Sequence, residues 1–240
     1  MTFSAIIIGA GDATGGAIAK RIAREGLPVC VVRRSAEALE PLAAKIEGAG
    51  GRCLPMGADA RKEEDVVSVF DRAEAELGPL DLAVFNIGAN VRFPFTEIEE
   101  RKFRKIWELA CFAGFLTARE AARRMVPRGR GTILLTGASA GVKGYAGGAA
   151  FASAKFALRG MAQAMARELG PKGVHVAHIV VDGAIDTAFI RETFPEMYAK
   201  KSEDGILNPD HIAEEYWRLY RQPRDAWTHE LDLRPWMESF

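Results

Sequence analysis

Short, uninterrupted apolar runs alternate with longer stretches of helical periodicity along almost the whole chain. That alternation restricts the fold more than any other feature. The runs are Phe3–Ile8, Pro28–Arg33, Arg52–Met56, Leu82–Phe85, Thr132–Thr136, Val174–Val181 and a weaker Thr228–Leu233. Several are β-branched and continuous, as strands buried on both faces must be. Helical patterns fall near 14–25, 36–48, 62–77, 96–126, 149–169 and 209–221. Strand, helix and strand in succession predict a parallel sheet with helices on both faces and right-handed crossovers. A length of 240 residues suits one such domain, 1–240, and no linker, repeat or low-complexity tract divides it. The polar segment 187–208 reads as an insertion before the last helix, with Asp210 as its expected cap.

Thirty-two basic and thirty-two acidic residues cancel, so no global field argues for nucleic acid or an anionic membrane. No apolar run reaches the roughly 20 residues of a membrane span. Met1 to Ala5 carries no charged leader, so no secretory signal is expected. Cys30, Cys53 and Cys111 lie far apart in apolar surroundings and are expected to be reduced core thiols of a cytoplasmic protein. No metal site is expected. Only His175 and His178 approach zinc-ligand spacing, and their odd offset within a strand sends the two rings to opposite faces.

The first strand, Ala5-Ile6-Ile7-Ile8, runs into Gly9-Ala10-Gly11-Asp12-Ala13-Thr14-Gly15-Gly16 and then a helix start. Glycines permit positive φ and let backbone N–H groups approach a pyrophosphate at a helix N-terminus. The strict G-x-G-x-x-G pattern fails, because Thr14 stands where the third glycine belongs. Many tight turns contain as much glycine; the position at the first βα junction is what marks this one for phosphate. The second strand ends in Val31-Val32-Arg33-Arg34. A carboxylate here would hold the ribose 2′-hydroxyl of NAD(H) and repel a 2′-phosphate. Two arginines offer forked donors to a dianion instead. The plainer reading is that they solvate the strand end; with the glycines upstream, NADP(H) is favoured over NAD(H).

With these pieces in place the chain resembles the short-chain dehydrogenase/reductase family over nearly its whole length. The resemblance implies a single-domain Rossmann-type doubly wound parallel sheet of about seven strands. The family's T-G-x-x-x-G-x-G is matched by Ile8 to Gly15, with Ile8 and Ala13 in place of Thr and Gly. Asp59, in Gly57-Ala58-Asp59-Ala60, matches the aspartate that contacts adenine. The N-N-A-G after strand four appears as Asn86-Ile87-Gly88-Ala89, and P-G-x-x-x-T as Asp182-Gly183-Ala184-Ile185-Asp186-Thr187. Lys155 matches the lysine of Y-x-x-x-K. The implied cofactor-binding set is Gly9, Gly11, Asp12, Thr14, Gly15, Arg33, Arg34, Asp59, Ala60, Asn86, Gly88, Lys155, Gly183, Ile185 and Thr187.

Family chemistry moves a hydride between nicotinamide and a carbonyl or alcohol carbon, while a tyrosine exchanges the proton. A nearby lysine cation lowers the phenol's ordinary pKa of about 10. A serine steadies the substrate oxygen and an asparagine supports a relay water. Here the tyrosine position is Phe151, the serine position Ala138 and the asparagine position Ala110; of the four, Lys155 remains. Lys155 is either a solvated helical lysine or, given its apolar neighbours, a contact to the cofactor ribose. Ser139 is either a loop hydrogen-bonder or a displaced serine. Tyr145 is either a cleft-lining aromatic or a displaced acid.

Three readings follow. One is an NADP(H)-dependent oxidoreductase of this family with a non-standard proton donor. Another is a reductase of activated carbon–carbon double bonds. The last is a catalytically inactive NADP(H)-binding protein. Helices 96–126 and 149–169 carry more apolar surface than one core face needs, and Ala113, Gly114 and Gly160 permit close helix approach. A homodimer or homotetramer through those helices is therefore expected, acting on a small molecule without nucleic acid or membrane. Asp182, in place of the usual proline, either disfavours anionic substrates or satisfies a turn. The C-terminal segment 227–240 covers either the sheet edge or a neighbour's cleft.

Overall fold

The computed structural model describes residues 2–88 and 91–238. Seven strands form: β1 (Ser4–Ile8), β2 (Val29–Arg33), β3 (Cys53–Gly57), β4 (Leu80–Phe85), β5 (Gly131–Thr136), β6 (Val174–Val181) and β7 (Glu230–Leu233). They make one sheet in the order β3-β2-β1-β4-β5-β6-β7, and every pairing is parallel. Parallel neighbours need crossover helices, which is why both faces are covered. The chain steps outward from β1 to β3, then returns to lay β4 on the other side of β1. That reversal opens a crevice at the carboxyl ends of β1 and β4.

Alternate strand residues feed two cores. Ile6, Ile8, Cys30 and Phe85 pack against α3 (Glu63–Leu77), α5 (Ala113–Met125) and α6 (Ala149–Leu169). Ala5, Ile7, Val29 and Val31 pack against α1 (Thr14–Arg24), α2 (Glu40–Gly48) and α9 (Pro209–Tyr220). The continuous apolar runs thus serve two faces at once. All three cysteines are free and buried. His175 lies stacked on Trp227, whereas His178 meets Glu230 at 3.2 Å. No described helix is long and apolar enough to cross a membrane.

The structure corrects several details. The pattern 96–126 is not one helix. Ile98 and Glu99 are extended, α4 (Glu100–Trp107) follows, and a π-turn at Glu108–Phe112 joins it to α5. The insertion 187–208 is partly helical, with α7 (Ala188–Thr193) and α8 (Pro195–Ala199), neither of which buries a residue. Asn208, not Asp210, caps α9: its side-chain oxygen accepts from the Asp210 N–H at 2.8 Å. Pro209 at the first helical position leaves no N–H there to satisfy. Gly114 serves packing inside the chain, because a Cβ there would lie 2.8 Å from Leu158 and 3.0 Å from Phe85.

Candidate functional site

The glycine turn sits at the crevice. Gly9 has φ +91°, and a Cβ there would stand 2.6 Å from the Asn86 carbonyl oxygen. Asn86 donates from its backbone N–H to Ile8 O at 2.8 Å and from its side-chain amide to Gly9 O at 3.2 Å. It therefore clamps the ends of β1 and β4 together. Cβ atoms on Gly15 and Gly16 would collide with the carbonyl oxygens of Gly9 and Gly11. A Cβ on Gly11 or Gly88 would meet nothing within 4 Å; Ala89, which ends the Asn86 stretch, lies outside the described residues. Thr14 opens α1, and its hydroxyl is buried without a partner among the described residues. A cradle closed to side chains and an orphaned hydroxyl at a helix N-terminus fit a phosphate group. Asp12 is exposed on the same turn.

Arg33 ends β2, and its guanidinium donates to Ala38 O at 3.3 Å. Neither Arg33 nor Arg34 pairs with a carboxylate among the described residues, so both forks remain available to an anion. Asp59 is spent differently. Its carboxylate accepts from Arg61 Nε at 2.9 Å and Arg61 N–H at 3.1 Å. Those hydrogen bonds hold it down to about 2. Arg61, two residues away, is a partner the sequence reading missed, although their spacing could have signalled it. Ala60 is buried beside it.

Lys155 lies on α6 and is only 2% exposed. Its ammonium donates to Thr136 O at 2.8 Å and Ile87 O at 3.1 Å, the carboxyl ends of β5 and β4. Burial pulls it down to about 8. It is a positioned buried cation and not a solvated helical lysine. Three donors and two carbonyl acceptors leave one N–H for a third partner.

The positions expected to carry a phenol, a hydroxyl and an amide converge, but on each other. Phe151 and Ala110 belong to one buried apolar cluster with Ile106, Cys111 and Ala154, and Ala138 and Tyr145 pack against it. Ala110 lies in the π-turn, a helical opening often found at functional sites. Ser139 begins the following 3₁₀ turn, where its carbonyl accepts from the Val142 and Lys143 N–H groups. Tyr145 is folded onto this corner with Gly148 giving its ring room, while Gly147, at φ +78°, turns the chain against Arg92 and Phe93. Burial pushes its phenol up.

Behind Lys155 lies a group that sequence reasoning set aside. His178 is fully buried, and a Cβ on Gly137 would strike its ring. Its Nδ1 faces Glu230, which also takes two hydrogen bonds from Arg159. Burial lowers His178 to about 4, so the ring is neutral. The hydrophobic run of β6 concealed it, and only the β6–β7 register, His178 opposite Glu230, reveals the pair.

The far wall is tied down by the C-terminus. Gly183 has φ +145°, and a Cβ there would meet Pro235 at 2.7 Å. Buried Asp182 lies 3.6 Å from Arg234, and its N–H donates to Leu233 O at 2.8 Å. Its main chain thus continues the β6–β7 pairing and its carboxylate faces a guanidinium. Ile185 bridges to Leu207. Thr187 caps α7: its hydroxyl accepts from Ile190 N–H at 3.1 Å, which leaves its O–H to donate elsewhere. Trp236 donates to Glu203 O at 2.9 Å. Of the tail 227–240, β7 covers the edge of its own sheet and 234–238 strap its own insertion; residues 239 and 240 lie outside the described residues.

Comparison with known proteins agrees with this fold. A family model described as short chain dehydrogenase matches residues 4–197. A short-chain dehydrogenase from Rhodopseudomonas palustris is 46% identical, with TM-score 0.84 over 97% of this chain and 98% of that one. An alcohol dehydrogenase from the archaeon Thermococcus sibiricus, complexed with 5-hydroxy-NADP, is 26% identical, with TM-score 0.88 over 100% and 99% of the two chains. Cis-4-hydroxycyclohexanecarboxylate dehydrogenase from Sinomonas cyclohexanicum is 28% identical over 215 residues, 88% of this chain and 86% of its own.

Proposed function

The chain belongs to the short-chain dehydrogenase family, and from that premise we propose that it is an NADP(H)-dependent oxidoreductase whose proton donor is not the family tyrosine. The observation that carries this reading is Lys155. A buried cation costs free energy unless it is used. This one is aimed by two strand-end carbonyls toward the crevice, with an N–H to spare. The Gly9–Thr14 turn would hold the pyrophosphate, Arg33 and Arg34 the 2′-phosphate, and Lys155 the nicotinamide ribose. When bound, the nicotinamide supplies or takes up a hydride. Tyr145 supports the non-standard donor, being the hydroxyl-bearing ring packed on the altered corner; Ser139 is the second candidate.

One observation favours an inactive NADP(H)-binding protein. Ala110, Ala138 and Phe151 do not leave a polar site with one group missing; they close into an apolar cluster. A positioned acid–base group contributes about 10²–10⁴-fold to rate, so its loss is compatible with slow turnover or none. A reductase of activated double bonds asks less of a local acid and uses the same cofactor site.

The surface of α4 to α6 supports a homodimer or homotetramer. Phe103, Trp107, Phe115 and Phe156 are exposed there, and Phe112 stacks between Trp107 and Phe115. Three buried free thiols suit a cytoplasmic protein. The deciding experiment is calorimetric titration with NADPH and, separately, NADH, followed by carbonyl and enoyl substrate panels. Tight NADPH, weak NADH and turnover on either panel is the expected outcome. Binding without turnover would leave the inactive protein, and no binding would end the cofactor reading.

A further inference from the structure

We propose that Arg92 reads a carboxylate on the molecule bound beside Lys155, so that this cleft takes an apolar carbonyl or alcohol bearing an acid group. The assignment rests on the placement of the substrate proposed above. The loop after β4 and the loop after β5 are joined at the cleft mouth, where Phe93 N–H donates to Gly147 O at 2.9 Å. Arg92 stands on that joint, exposed, with its guanidinium 5.0 Å from the centre of the Tyr145 ring. A guanidinium held over a ring by this attraction keeps N–H groups at its rim that can meet an acceptor. A carboxylate matches such an edge with two parallel hydrogen bonds.

The neighbours of Arg92 explain why the acceptor would come from outside. Lys102, whose ammonium lies over the Phe93 ring, is paired within the chain with Glu99. Arg92 has no carboxylate partner among the described residues. Across the cleft the acids are already spent, Asp182 on Arg234 at 3.6 Å and Asp186 on Lys201 at 2.7 Å. An incoming anion therefore meets an unpaired guanidinium and compensated acids. The same ring that carries Arg92 packs on the cluster of Phe151 and Ala138, with Val91 and Phe93 beside it. The wall next to the cation is apolar, which suits a hydrocarbon body.

The test is calorimetry on NADPH-loaded protein with cyclohexanecarboxylate and with its neutral isostere, cyclohexanecarboxamide. Charge-assisted pairing predicts that the acid binds about tenfold more tightly than the amide. Arg92→Met should erase that difference, and Arg92→Lys, which keeps the charge without the fork, should keep part of it. Equal affinities, binding of neither compound, or a preference that survives in Arg92→Met overturns the assignment. NADPH binding is measured first in the same cell. Its failure overturns the cofactor reading and this assignment together, whereas sound NADPH binding without an acid preference overturns Arg92 alone.

Discussion

The glycine turn after β1 and the corner between β5 and α6 both depart from the pattern of their family, and the departures differ in kind. In the turn, Ile8 and Ala13 replace the usual residues, yet Gly9, Gly15 and Gly16 keep the close approaches that a Cβ would block. In the corner Lys155 is held by Thr136 and Ile87, while apolar Phe151, Ala138 and Ala110 stand where the family resemblance places a phenol, a hydroxyl and an amide. A site made of main-chain N–H groups tolerates changed side chains so long as the path of the chain is kept. A site made of side-chain chemistry does not.

The largest expected effect restores the corner. Replacing Phe151→Tyr, Ala138→Ser and Ala110→Asn together should raise turnover on a carbonyl substrate about 10²–10⁴-fold, the range of a recovered acid–base system. Phe151→Tyr alone should do little, because the substrate-steadying hydroxyl is still missing. Brisk turnover by the single variant would show that the corner needed one group, not three. Next comes damage to the turn. Gly9→Ala asks for φ +91° and a Cβ 2.6 Å from Asn86 O, so NADPH affinity should fall at least about 100-fold while circular dichroism reports a folded protein. Near-normal affinity would mean the main chain is not the cradle.

A smaller effect separates the two cofactors. Arg33→Ala with Arg34→Ala should weaken NADPH about 10–100-fold through lost charge-assisted bonds and leave NADH nearly unchanged. Equal losses for both would return the arginines to strand-end solvation. The smallest effect is on stability behind the corner. His178 is held near 4, below the ordinary histidine value of about 6.5. The unfolded chain therefore takes up a proton that the folded ring refuses, and stability falls as pH drops from about 6.5 to 4. In thermal melts His178→Asn should flatten that part of the curve; an unchanged slope would place the titration elsewhere.

The periodic features were legible because burial on two faces writes itself into composition. All seven strands formed within a few residues of their apolar runs. The break in 96–126 was not legible, because Ile98 and Glu99 carry no proline or glycine and adopt extended backbone through context. Lys155 was legible by position, its two carbonyl partners were not, since Ile87 and Thr136 lie 68 and 19 residues away. Thr187 illustrates a residue found at the expected place with its hydroxyl engaged in a helix cap.

By itself the sequence determined the alternation of strand and helix, the glycine turn at the first junction, and the apolar residues at 110, 138 and 151, because each is a property of residue type and local spacing. Only the tertiary structure decided what those apolar residues became. Whether Phe151, Ala138 and Ala110 leave a void, a wet pocket or a packed cluster depends on whether chain segments some 40 residues apart can close on each other. Long-range packing also set Asp182 against Arg234, His178 against Glu230 and Arg92 against Tyr145. Charges and rings find partners by proximity in space, and proximity in space is what a one-dimensional reading lacks.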